Sequence, residues 1–76
     1  MTQREKILRH LRTFGSITQM EAIQDYGIMR LSARCWDLKN KDGIPIVSED
    51  VHGKNRFGEP TRYARYRLEE KYVSGV

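Results

Sequence analysis

The apolar positions fall into three short helical stripes followed by an alternating stretch. Ile7, Leu8, Leu11 and Phe14 recur at helical spacing, while Arg4, Lys6, Arg9 and Arg12 lie off that stripe. Thr2 and Glu5 form a capping-box pattern that starts this helix at about Gln3, and Gly15 can end it in a left-handed turn. "SIT" offers a short extended link. Thr18 and Glu21 then repeat the capping box, heading a brief second helix that buries some combination of Met20, Ala22, Ile23 and Tyr26. Gly27 supplies the positive-φ exit, so a third helix must begin within two or three residues and cross the second steeply, as in a helix-turn-helix.

In the third helix, at about 29–41, Leu31, Cys35 and Leu38 stand at i, i+4 and i+7, and Ile28 extends their stripe backward, so these four should face the core. At about 100° per residue the opposite arc carries Met29, Arg30, Ala33, Trp36, Asp37 and Asn40, with Ser32 and Arg34 on the flanks. After Gly43, "IPIVSEDV" reads as a strand, with Pro45 confined to its first positions and Val47, joined by Val51, expected on its inner face. "HGKNRFGEPT" is a turn-rich loop that its glycines should leave adaptable. "RYARYRL" alternates Arg62, Ala64, Tyr66 and Leu68 against Tyr63, Arg65 and Arg67, completing a β-hairpin. Tyr63 and Tyr66 are expected to pack that hairpin against the helices. Residues 1–70 make one domain and 71–76 a C-terminal tail expected to fray, with Leu68 and Tyr72 spaced to form a small docking stripe if the tail is helical.

At 76 residues the chain buries roughly 60% of the surface it exposes when unfolded, which leaves little room for an internal active site. Lysine and arginine outnumber acids 14 to 10, for a net charge of +4, and the excess is localised. Residues 54–67 hold Lys54, Arg56, Arg62, Arg65 and Arg67 against Glu59 alone, whereas residues 44–53 hold Glu49 and Asp50 and no lysine or arginine. A single cysteine and two scattered histidines give neither an internal disulfide nor a metal-ligand spacing, which fits a reducing, cytoplasmic setting. The amino terminus is too charged for a secretory signal, and no run of 18 apolar residues occurs. No nucleophile–base pairing, glycine-rich phosphate loop or metal constellation is visible. The expectation is therefore a non-enzyme without cofactor, metal, small-molecule substrate or membrane association.

The order helix, short strand, helix, turn, helix, hairpin is that of an α+β winged helix-turn-helix domain, with three helices and a C-terminal two-stranded wing. "SITQMEAIQDYGIMRLSARCWDLKNKDGIPI" followed by "RYARYRL" resembles the small winged-helix proteins common in bacteriophages and prophages. In those a "YGI" turn, an "L-S-A-R-I-x-D-L" helix and a closing "Y-A-R-Y-R-L" strand recur. The resemblance covers about residues 3–68 and implies double-stranded DNA as partner, with a transcriptional regulator or excisionase-like accessory factor as the role. Two departures stand out. Ala22 and Gly27 are five apart where the common motif has four, so contact positions are read from the helical stripe rather than by count. Cys35 stands where the resembling sequences carry isoleucine, and a thiol fills less volume.

A major groove about 12 Å wide admits one helix and displays a distinct donor–acceptor pattern for each base pair. Arg30, Ser32, Ala33 and Trp36 are the candidates to enter it, with Asn40 nearer the rim. Arg30 suits guanine O6 and N7, Ser32 a base edge or phosphate, and Ala33 a thymine methyl. Trp36 has two readings open, packing beneath the wing or first helix, or contact with nucleic acid or protein. Arg34 borders the core and suits an internal ion pair as well as a phosphate. In the wing, Lys54, Asn55, Arg56 and Arg62 are placed to hold the backbone or enter the minor groove, while Arg65 and Arg67 suit an outer face that protects a sheet edge. Thr18 and Gln19 open the second helix, where free amides favour a phosphate, although capping alone accounts for Thr18. The competing function is a protein-interaction winged helix of phage origin that modulates a host enzyme or defence protein, with Met29, Trp36 and Phe57 as anchors. A homodimer is a further possible partner arrangement.

Overall fold

A computed structural model of the chain describes residues 1–69. The tail expected at 71–76 lies outside the described residues, as does Tyr72 of the docking stripe. The elements are α1 (Gln3–Phe14), β1 (Ser16–Thr18), α2 (Gln19–Tyr26), α3 (Leu31–Asn40), β2 (Ile46–Lys54) and β3 (Pro60–Leu68). Both expected capping boxes are present, with the Thr2 and Thr18 hydroxyls accepting from the amides of Glu5 and Glu21. Gly15 (φ 89°) and Gly27 (φ 67°) take the left-handed conformation that stops α1 and α2, and at Gly27 the amides of Gly27 and Ile28 donate to the carbonyls of Ile23 and Ala22.

The three helices enclose a core made of Ile7, Leu11, Ile17, Ala22, Ile28, Leu31, Cys35 and Leu38, closed below by Ile46 and Leu68. The α3 stripe is thus as its spacing requires. Two helical expectations change. Phe14 is 70% exposed because it ends α1, and the core position on that stripe belongs instead to His10, only 3% exposed. In α2 only Ala22 is fully buried; Met20 is 62% exposed and Ile23 also faces outward. Helix α3 begins at Leu31, two residues later than expected, so Met29 and Arg30 belong to the turn and to the helix cap.

The sheet has the order β1-β3-β2, all antiparallel. The "SIT" link is its third strand, with Ile17 opposite Tyr66 and sealed in the core. The inward face of β2 is corrected by one residue. Ile46, not Val47, is buried, because Ile46 pairs with the buried Leu68 while Val47 pairs with Arg67 on the outer face, which Val51, four residues on, shares with Tyr63. Tyr66 packs against the core as expected, but Tyr63 stays half-exposed. From His52 to Arg62 every residue of the hairpin is exposed, so the wing projects from the body of a molecule measuring 42 × 26 × 21 Å.

Candidate nucleic-acid interface

The orientation of α3 is set by a side chain from another helix. Arg30, its N-cap residue, makes no side-chain capping bond. Gln19, the first residue of α2, substitutes for it: its Oε1 accepts from the Leu31 amide at 2.9 Å and its Nε2 donates to the Ile28 carbonyl at 2.8 Å. One of the orphan donors at the α3 start is satisfied in this way, and the turn between the helices is pinned. Gln19 and Thr18, expected at a phosphate, therefore have side chains engaged within the protein, and the α2 start is already served by the Glu21 carboxylate, which accepts from the Thr18 amide at 2.9 Å.

The core stripe of α3 leaves its other side open. Arg30, Ser32, Trp36, Lys39 and Asn40 are exposed and Ala33 is half-buried. Trp36 is 59% exposed, so it is not packed beneath the wing. Its indole borders a groove of about 380 Å³ between α3 and β2, together with Ser32, Lys39, Val47, Ser48 and Tyr66. Burial raises the pKa of the Tyr66 hydroxyl above its ordinary value. Asn40 donates to the Trp36 carbonyl at 3.0 Å, a local back-bond at the helix end. Lys39 was missed by sequence reading, although its place three residues after Trp36 sets it on the same exposed side.

The basic cluster of the hairpin divides into compensated and uncompensated charges. Arg65 donates through Nε and Nη2 to Glu49 Oε1 at 3.0 and 2.9 Å, Arg67 Nε lies 3.8 Å from the same oxygen, and Arg62 Nε lies 3.9 Å from Asp50. The acidic run of β2 faces the basic run of β3 by register, Glu49 opposite Arg65 and Asp50 opposite Ala64, beside Arg62. Arg34 pairs with Asp37 at 3.4 Å, the internal contact considered for it. The cations of α3 and the wing without an acidic partner among the described residues are Arg30, Lys39, Lys54 and Arg56. Asn55, expected at DNA, is engaged in shaping the wing turn, its Oδ1 accepting from the amides of Phe57 and Glu59.

On the other side of Ser32 a second, more apolar groove of about 760 Å³ runs between α2 and β3, lined by Met20, Ile23, Tyr63, Ala64 and Tyr66. No group of three or more His, Cys, Asp or Glu side chains among the described residues could hold a metal ion. No described helix is long and apolar enough to cross a membrane. A sequence model of the family described as "Winged helix-turn-helix domain" matches residues 2–71. No curated protein and no solved structure matches.

Proposed function

Because the chain belongs to the winged helix-turn-helix domain family, we propose that it is a sequence-specific double-stranded DNA-binding protein, a phage- or prophage-type transcriptional regulator or excisionase-like accessory factor. The observation that carries this reading is where positive charge is left unpaired. Acidic neighbours compensate the arginines along the hairpin, whereas Arg30 and Lys39 on α3 and Lys54 and Arg56 at the wing tip have none. Helix α3 enters the major groove, with Arg30, Ser32, Ala33 and Trp36 toward base edges and Lys39 and Asn40 toward the rim. Lys54 and Arg56 hold phosphates, and Arg62 adds less because Asp50 already faces it. No catalytic turnover is involved. One such module buries only roughly 600 to 1,000 Å² on DNA, so useful specificity calls for a dimer, tandem sites or a partner.

Selection of bound duplexes from a random library, read at two salt concentrations, tests the reading. Enrichment of a common sequence, with affinity falling steeply as salt rises, is the expected result. Failure to enrich any sequence, with binding indifferent to salt, rejects it.

One observation favours a second reading, in which a host protein is the partner. Met20, Ile23 and Tyr63 form an exposed apolar lining that DNA phosphates do not require. A host-protein complex that survives nuclease treatment and is lost in Met20→Asp, together with no DNA shift at low salt, would favour this reading over the first.

A further inference from the structure

The wing tip combines three properties that a simple charged loop does not need. Phe57 is 84% exposed, more than any other large apolar side chain among the described residues. Its turn is rigidly specified: the Gly58 amide donates to the Asn55 carbonyl and the Asn55 amide to the Glu59 carbonyl, both at 3.0 Å, while Asn55 Oδ1 accepts from the Phe57 amide at 2.9 Å and the Glu59 amide at 3.0 Å. Asn55 is thus an Asx turn that fixes the Phe57 backbone, and Gly58 at φ 78° supplies the left-handed residue that returns the chain to Pro60. The loop therefore has a turn defined by its own hydrogen bonds. Finally, Phe57 follows Lys54 and Arg56, which carry the uncompensated charge of the wing, whereas Glu59, the acidic side chain of the turn, accepts from Asn55 Nδ2 at 3.3 Å.

We infer that Phe57 is an apolar wedge, carried on a preorganised cationic finger, that inserts between base steps from the minor groove and kinks the duplex. This inference rests on the DNA-binding reading and adds to it a second activity, bending. The minor groove is a slot about 6 Å wide with anionic walls and an apolar stack of base pairs at its floor. A projecting aromatic ring beside two unpaired cations on the preceding arm of the turn matches that sequence of surfaces, with Arg56 and Lys54 to the phosphate wall and the ring against the stack. A protein partner fits less well. Interface anchors cluster with other apolar groups in a core depleted of charge, and the neighbours of Phe57 are Arg56, Asn55, Gly58 and Glu59 on a convex tip. Holding the ring on a fixed turn lowers the ordering cost of insertion, which must offset a few kcal/mol of unstacking per step.

Ligase-catalysed ring closure of a mixed-sequence duplex of about 150 base pairs, one persistence length, reads kinking without knowledge of the target. Bound wild-type protein should raise the yield of closed circles on the order of tenfold, through kinks of about 20–90° per wedge. Phe57→Ala, compared at equal occupancy of the same fragment, should return closure to within about twofold of bare DNA, and Phe57→Leu, which keeps an apolar wedge, should retain most of the effect. The ring touches none of the core, so these variants fold. If the wild type binds the fragment without raising closure, or Phe57→Ala bends as well as the wild type, the wedge is overturned and Phe57 falls to a protein partner or to no partner. If the wild type does not bind the fragment at low salt, the DNA-binding reading itself fails.

Discussion

The Nδ1 atom of His10, buried in α1, lies 2.6 Å from the hydroxyl of Tyr26 at the end of α2. The imidazole also packs against Phe14, ring centroids 4.7 Å apart and tilted by 48°, and meets the Tyr26 ring edge-on, while its Nε2 is buried without a partner. One polar contact thus joins the first two helices where the apolar stripe would otherwise place a hydrophobic residue.

Removing the hydroxyl should cost more than a surface bond would. Tyr26→Phe strands a second buried imidazole nitrogen, and an unsatisfied buried group costs about 1–3 kcal/mol. His10→Leu combined with Tyr26→Phe replaces both partners with apolar groups, so the double variant should lose less than the sum of the singles. Urea unfolding of the four proteins checks this; strict additivity would mean that the contact contributes nothing.

Gln19 provides the remote cap of α3, so Gln19→Met, similar in length but unable to make either bond, should lower stability by about 1–2 kcal/mol. The loss should appear as a lower Tm and as faster hydrogen exchange of the Leu31 amide. A Tm unchanged from wild type would show that the turn is held without the Gln19 amide.

Arg30 and Arg56 should fail in different ways when truncated. Arg30→Ala should relax base preference at one position, costing on the order of 1–3 kcal/mol on the selected site and little elsewhere. Arg56→Ala or Lys54→Ala should weaken binding to all sequences alike and flatten the salt slope by about 0.9 per lost phosphate contact. Arg62→Ala should change the slope less, since its guanidinium already faces Asp50. Titrations at several salt concentrations distinguish these patterns, and identical slopes for all variants would remove the wing from the interface.

Burial pushes the Cys35 thiol from an ordinary value of 9.0 up to about 12. Between those values the unfolded chain has released a proton that the folded chain keeps, so this contribution to stability is full below pH 9 and declines as pH rises toward 12. Alkylation by iodoacetamide at neutral pH should accordingly require unfolding. The thiol also borders the α3–β2 groove, which leaves room for a larger group. Cys35→Ile should therefore raise stability by roughly 1 kcal/mol through added apolar burial, and it should lessen the alkaline decline. Denaturation curves from pH 7 to 11 measure both; a destabilised Cys35→Ile would mean that the site is already full.

Much of the candidate interface was legible because α3 is amphipathic and its core stripe is short. Leu31, Cys35 and Leu38 define one side, and the exposure of Ser32, Trp36 and Asn40 follows from helical geometry. Less legible was which polar side chains stay available. Gln19 and Asn55 have the composition of contact residues, yet both are engaged in turns, because an amide near a chain reversal finds backbone partners at close range. Alternation alone set Arg65 and Arg67 apart from the wing-tip cations, but their pairing with Glu49 appears only once β2 lies beside β3.

The caps of α1 and α2, helix order and the inward stripe of α3 were decided by interactions spanning at most a few residues, such as Thr18 with Glu21 and Leu31 with Cys35, which is why reading along the chain recovers them. Strand register could not be recovered that way. Whether Ile46 or Val47 turns inward depends on pairing with Leu68, more than 20 residues away, and a one-residue slip exchanges the two faces of a strand. The joining of β1 to β3, the capping of α3 by Gln19 and the neutralisation of the hairpin arginines follow from the same cause: each arises only when the fold brings distant segments within bonding distance.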